Sequence, residues 1–295
     1  MSEARVESFE APRSVEDAVA LLAKHGPAAR PLAGGTDLLA QMKSGLRRPA
    51  VLVDMKRIPE LMAFRASADG CVIGAAAPAA SVREHAELRR RFPGLVEAMA
   101  LIGSEQIQGR ASLGGNLCNA SPAADTTPAL LVNEAELEVA GPEGRRRLPV
   151  AALCTAPGLT SLRDGELLVA LHLEKPPAGT ADAYLRLIPR TEMDIAVVGA
   201  AVRVTLSPDG RCREARVALG AVAPTAIRVP EAEAALVGTR VDAAALARVA
   251  DAASRAARPI DDKRGTVVYR RQVAGILARR AAARAAERAL AAAAS

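Results

Sequence analysis

Tryptophan is absent from this chain, and aromatic residues make up only 2% of its 295 residues. So few aromatics leave almost no platforms on which bases could stack, and no nucleic-acid-binding motif stands out. The net charge of +6 is therefore read as room for an acidic partner or an anionic ligand, and nucleic acid is not expected as a partner. Cysteine is scarce too: four residues, at 71, 118, 154 and 212, with no Cys-x-x-Cys pair. The three histidines, at 25, 85 and 172, are equally dispersed. This spacing argues against a zinc or iron–sulfur site built from this chain alone, and scattered thiols fit a reducing compartment. No apolar run approaches the roughly 18 residues of a membrane span. The first residues, Met1-Ser2-Glu3-Ala4-Arg5, hold no hydrophobic signal core, so a cytoplasmic protein is expected.

What is present is small and apolar. Half the residues are hydrophobic, so the core must be built from Ala, Val and Leu packed closely. The length suits a substantial core and two domains.

The most constraining stretch runs from Gly109 to Asp125 and holds three glycines, two asparagines, two serines and one aspartate between apolar flanks. Read as a loop, its Gly114 and Gly115 would let the backbone adopt φ > 0 and let another body approach. Successive backbone N–H groups in such a turn form a nest suited to phosphate or pyrophosphate. Ser112 and Asn116 add donors at the rim, and Asp125 can accept from a hydroxyl. A second stretch of the same style spans Pro31-Leu32-Ala33-Gly34-Gly35-Thr36-Asp37. Two such cradles in one domain suggest a ligand with two ends, such as a dinucleotide.

Around these stretches the pattern is α+β. Ser14 is positioned to cap a helix whose apolar residues recur at helical spacing, with Gly26 and Pro27 as its stop. Residues 30–33 and 51–54 read as parallel strands, with a helical turn over 38–44, so that 1–57 forms a βαβ-like unit. Its glycine loop then lies at a strand's C-terminal end, where ligands of such sheets bind. Further strands are expected over 71–75, 137–140, 145–150 and 166–173, and helices from 81, over 95–102 and over 126–132. Beyond about 180 the texture becomes a β-meander (184–188, 201–206, 216–222) with helices over 231–236, 242–256 and 266–294. The last helix sets six arginines in an alanine background, which reads as a solvated, frayed end or a docking face for an acidic partner subunit.

Taken together, Ala33 to Leu38, Arg110 to Asn116 and Ala120 to Asp125 resemble the FAD-binding medium subunit of molybdenum hydroxylases, the group of carbon monoxide and xanthine dehydrogenases. Tyr184-Leu185-Arg186 with Arg190 and Asp194-Ile195-Ala196 extends the resemblance over nearly the whole chain. It implies a two-subdomain FAD domain of the vanillyl-alcohol-oxidase type over 1–178, divided near 57, and a smaller α+β C-terminal domain over 179–295. It implies FAD as the cofactor. Leu32, Ala33, Gly34, Gly35, Thr36 and Asp37 would serve the pyrophosphate and ribityl region. Ala111, Ser112, Gly114, Gly115 and Asn116 would approach the diphosphate and flavin, and Asp125 would bind a ribose or adenine-side hydroxyl. Ile102 and Leu168 would pack near the cofactor, and Arg186 would replace a cation often found at the flavin's polar edge. The aromatic residue that some members set over the ring is not evident, and Met193 and Ile195 stand in that neighbourhood.

The role implied is electron transfer within an oxidoreductase, without a nucleophile or general base of its own. A large partner would carry the molybdenum cofactor, a small partner [2Fe–2S] centres, in a dimer of heterotrimers, and NAD, a quinone or another acceptor would take the electrons. The alternative is a stand-alone FAD-dependent reductase or oxidase of the same fold.

Overall fold

The computed structural model describes residues 6–293, with the side chains of residues 6–292. The expected last residue of the final helix, Ala294, and the N-terminal Met1 to Arg5 lie outside the described residues.

Among the described residues three larger sheets follow one another along the chain, and Cys154–Ala156 with Leu159–Thr160 forms a fourth, two-stranded one. In the first, Val51–Asp54 lies between Ser8–Glu10 and Ala29–Leu32, all parallel. The middle strand, VLVD, is buried throughout, as a strand covered on both faces must be. The helix Val15–His25 covers this sheet with Val15, Ala18, Val19 and Leu22 inward. Ser14 starts it by accepting a hydrogen bond from the Asp17 backbone N–H at 3.0 Å. Gly26 ends it at φ +50°, and a short 3₁₀ turn over Gly26–Ala28 leads into the next strand.

The second sheet is antiparallel, in the order Phe64–Ala66, Gly70–Gly74, Leu167–Glu174, Glu136–Gly141, Gly144–Pro149. Short helices, among them Pro93–Ala100 and Thr126–Val132, share one apolar core with it. The first of these ends two residues before the expected Ile102, where Gly103 turns the chain at φ +54°. The helical start expected at Ser81 is a single turn over Ala79–Val82, followed by Ala86–Arg91. His85 stands exposed at the head of that helix and stacks on Phe64, ring centroids 4.0 Å apart.

The third sheet pairs Thr180–Leu187, Val198–Leu206, Cys212–Gly220 and Ile227–Arg228 antiparallel. The helices Ala243–Ala256 and Val267–Ala293 share its apolar core. Its other side reaches the central unit, where Tyr184, Ala201 and Ala218 join the second sheet's core.

The final helix departs from the sequence expectation of a solvated, frayed end. Ala274, Ala278, Ala281, Ala282, Ala285 and Ala289 are fully buried in the third unit's core. Alanine supplies a narrow apolar face that lets backbones come close: a Cβ on Gly275 would stand 2.6 Å from the Ala250 carbonyl oxygen of the neighbouring helix. Among its arginines, Arg270 is buried and donates to the carbonyls of Val197 at 3.0 Å and Ala221 at 3.2 Å.

Candidate functional site

The two glycine stretches, some 75 residues apart in the chain, meet backbone to backbone. A Cβ on Gly34 would fall 1.9 Å from the carbonyl oxygen of Arg110, so only glycine allows the approach. Gly114 serves the same purpose one layer in, where its Cβ would lie 2.4 Å from the Ala75 carbonyl oxygen. Of the glycines in the two stretches, Gly35 alone adopts positive φ, at +75°. The expectation of left-handed backbone at Gly114 and Gly115 is thus corrected, because the segment Leu113–Cys118 is a short helix. Ser112 caps it, its Oγ accepting from the Gly115 N–H at 3.0 Å.

That cap changes which amides are free. In the second stretch Ala111, Gly114, Gly115 and Asn116 donate to Ile107, Ala75, Ser112 Oγ and the Ser112 carbonyl. In the first stretch, among the described residues, the backbone N–H groups of Gly34, Gly35, Thr36 and Asp37 donate to no protein acceptor. Four consecutive free amides at the C-terminal end of Ala29–Leu32 make an anion cradle.

Between the stretches opens a cleft of about 860 Å³, within the range of small-molecule and cofactor sites. Ala33, Gly34, Gly35, Thr36 and Asp37 line one wall; Ala111, Ser112, Gly114, Gly115, Asn116 and Asp125 line another. Ile102 and Leu168 contribute apolar surface. On Gly115 a Cβ would meet only Ser112 Oγ, at 3.1 Å, so the surface beyond it is open. Asn116 accepts from Thr126 Oγ1 at 2.7 Å through Oδ1, which orients its amide. Asp37 is exposed at the rim, and partial desolvation in the cleft holds its carboxyl above the usual carboxylate range. Volume, free amides and a close-approach wall all fit a dinucleotide such as FAD.

Two of the expected residues stand outside the lining. Leu32 is buried beneath the first stretch. Arg186 stands behind Asp125 and donates to its Oδ2 at 2.7 Å, while Tyr184 Oη donates to Oδ1 at 2.8 Å. Burial pushes the Asp125 carboxyl up to about 6, against the opposing pull of Arg186 and Tyr184. Desolvation outweighs the ion pair because the carboxylate loses its water and recovers only two partners.

Met193 and Ile195 reach the cleft from the second half of the chain and are half exposed. Asp194 holds their loop, accepting from Arg190 Nε at 3.2 Å and from the Ile195 N–H at 2.8 Å. Cys118 is exposed and lines the cleft, where desolvation, with Cys154 nearby, pushes its thiol up to about 12.

Sequence reasoning passed over the segment from 158 to 165, which closes a third side of the cleft. Its signal was two glycines bracketing a polar turn, Gly158 and Gly165, now seen at φ +73° and +77°. The bond from Gln41 Nε2 to Asn119 Oδ1, at 2.9 Å, ties the two walls together and carries no local signature.

Against known proteins, residues 4–176 match the family described as FAD binding domain in molybdopterin dehydrogenase. Residues 183–285 match the family described as CO dehydrogenase flavoprotein C-terminal domain. The carbon monoxide dehydrogenase medium chain of Afipia carboxidovorans is 37% identical over 281 residues, 95% of this chain and 97% of that one. The xanthine dehydrogenase FAD-binding subunit of Escherichia coli O157:H7 is 36% identical over 228 residues, 77% of each chain. A crystal structure of Cu,Mo-CO dehydrogenase in its cyanide-inactivated form superposes with a TM-score of 0.91 at 37% identity, covering 95% of this chain and 98% of that one.

Proposed function

The chain belongs to the family of FAD-binding subunits of molybdopterin dehydrogenases, oxidoreductases that include carbon monoxide and xanthine dehydrogenases, and from that premise we propose that it is the electron-transfer subunit of a molybdenum-containing complex. In this reading it takes electrons from [2Fe–2S] centres of a small partner and passes them to an external acceptor, NAD, a quinone or another. A large partner carries the molybdenum cofactor, and the assembly is a dimer of heterotrimers in the cytoplasm. The chain divides into an FAD domain over 1–178 and a C-terminal domain over 179–295. Among the described residues no helix is long and apolar enough to cross a membrane.

The observation that carries this reading is the cleft between the two glycine stretches, with its row of free amides. Bound there, FAD supplies a redox centre that exchanges electrons singly or in pairs. The chain's own part is binding, orientation and exclusion of water. Gly34 to Asp37 donate backbone N–H groups to the pyrophosphate, with the Thr36 hydroxyl as a further donor. Gly115 leaves the second wall bare, so the ligand lies against the backbone, and Asn116 offers its amide. Asp125 accepts from a hydroxyl while Tyr184 and Arg186 hold its carboxylate. Ile102, Leu168, Met193 and Ile195 give apolar surface to a ring system.

Purification of the chain from its native host, with identification of everything that stays bound, tests the proposal. The expected result is a yellow complex that releases FAD on denaturation and contains two further chains, one cysteine-rich and one large. Release of FMN, or of no flavin, would overturn the cofactor assignment. A yellow chain purified alone and active alone would favour the stand-alone enzyme instead.

A further inference from the structure

The amides of the first stretch face the cleft only if something holds its carbonyls the other way. Lys56 stands in the right place. It follows the central strand Val51–Asp54, whose last residue pairs in register with Leu32. Its Nζ donates to the Ala33 carbonyl at 3.0 Å, to the Leu32 carbonyl at 3.4 Å and to Asp54 Oδ1. Among the described residues every peptide bond is trans, so the C=O of residue 33 and the N–H of Gly34 point in opposite directions. A carbonyl tied down to Lys56 therefore turns the Gly34 N–H away from Lys56, and that N–H meets no protein acceptor.

We propose that Lys56 is a positioning residue that orients the Ala33–Gly34 peptide, and with it the row of amides from Gly34 to Asp37, toward the pyrophosphate. This rests on the reading that FAD occupies the cleft. Its action is geometric. Asp54 balances most of the charge, and the charge-assisted bond to Ala33 fixes one peptide plane at the start of the row. The three acceptors around Nζ come from two neighbouring strand ends, so the ammonium also locks the first stretch to the central strand.

The test uses the complex purified with the full chain, stripped of flavin and titrated with FAD while flavin fluorescence is followed. Lys56→Met is expected to raise the dissociation constant about ten- to a hundredfold, the worth of one charge-assisted hydrogen bond. Lys56→Arg, which keeps a cationic donor, is expected to stay within about threefold of wild type. Removing the ammonium also leaves Asp54 buried and unpaired, which by itself could unfold the loop. The double variant Asp54→Asn/Lys56→Met removes both charges, and the amide oxygen can still accept from the residue 56 N–H that Asp54 Oδ1 caps at 3.1 Å. It is expected to regain the wild-type melting temperature without regaining affinity, and it carries the test alone if the single variant does not fold. Wild-type affinity in Lys56→Met, or in the double variant, would overturn the inference while leaving the cofactor assignment standing. A wild-type complex that takes up no FAD would overturn both.

Discussion

Gly34 and Gly115 show how different two glycines of similar sequence context become at the scale of single residues. A methyl group on Gly34 collides with the Arg110 backbone, which cannot move aside, whereas one on Gly115 reaches only a serine hydroxyl. Gly115→Val is therefore expected to leave the melting temperature within a few degrees of wild type yet abolish retention of FAD, read from the flavin absorbance of the purified complex. Normal flavin content in that variant would remove Gly115 from the wall of the site. Asp125 gives a second prediction. Burial holds its carboxyl at about 6 in the folded chain, whereas the unfolded chain titrates near the ordinary value of about 4. The folded state thus binds the proton more tightly, so this group's contribution makes stability fall as pH rises from about 4 to about 6 and levels off above. Asp125→Asn should remove that slope, on the order of 1–3 kcal/mol across the window. Urea unfolding at pH 4, 5, 6 and 7 measures it, and identical slopes in the two proteins would place the titration elsewhere. Asp125 itself was legible in the sequence. Of its partners, Tyr184 was seen only as part of a matching motif and Arg186 as a cation at the flavin's polar edge, since they lie about 60 residues away and no spacing links them to Asp125.

At the scale of elements, boundaries were read well wherever a local cause sets them. Ser14 caps a helix and Gly26 stops it. Two further differences come from packing that local sequence does not register. The glycine-rich segment became a helix at Leu113–Cys118 because Ser112 caps it and Gly114 seats it against Ala75, neither of which helix propensity registers. The terminal helix looked solvated because alanine signals neither inside nor outside, and only the close fit against Ala250 makes its narrow face a core face. Arg270 locks this helix through Val197, Ala221 and Asp262. Arg270→Leu strands two carbonyls and should cost about 2–4 kcal/mol. Urea unfolding of the purified chain is the measurement, and a loss below about 0.5 kcal/mol would mean that the helix is held by its alanines alone.

Across the whole molecule, the two halves of the chain are sewn together by buried and half-buried polar groups. Glu97, on Pro93–Ala100, accepts from the Tyr184 N–H at 2.9 Å, from Arg284 Nη1 at 3.3 Å and from Arg288. Beside it the buried Asp182 accepts from the Gly94 N–H at 2.8 Å and from Asn133 Nδ2 at 2.7 Å. Since Met193 and Ile195 enter the cleft from the second half, this seam also sets the outer wall of the site. A double-mutant cycle of Glu97→Gln and Arg288→Met should give a coupling energy of about 1 kcal/mol that shrinks in high salt. Strict additivity would mean that the seam rests on its apolar contacts.

The sequence by itself determined the α+β class, most element boundaries, the small-residue core and the two stretches able to cradle a dinucleotide. Each of these follows from neighbours a few residues apart, through caps, periodicity and glycine. Only the tertiary structure decided that the stretches touch, that the free amides belong to the first of them, that Lys56 bonds the carbonyls behind those amides, and that the segment from 158 to 165 lines the cleft. Those facts depend on backbones that approach from distant parts of the chain, and a linear order of residues carries no record of such distances.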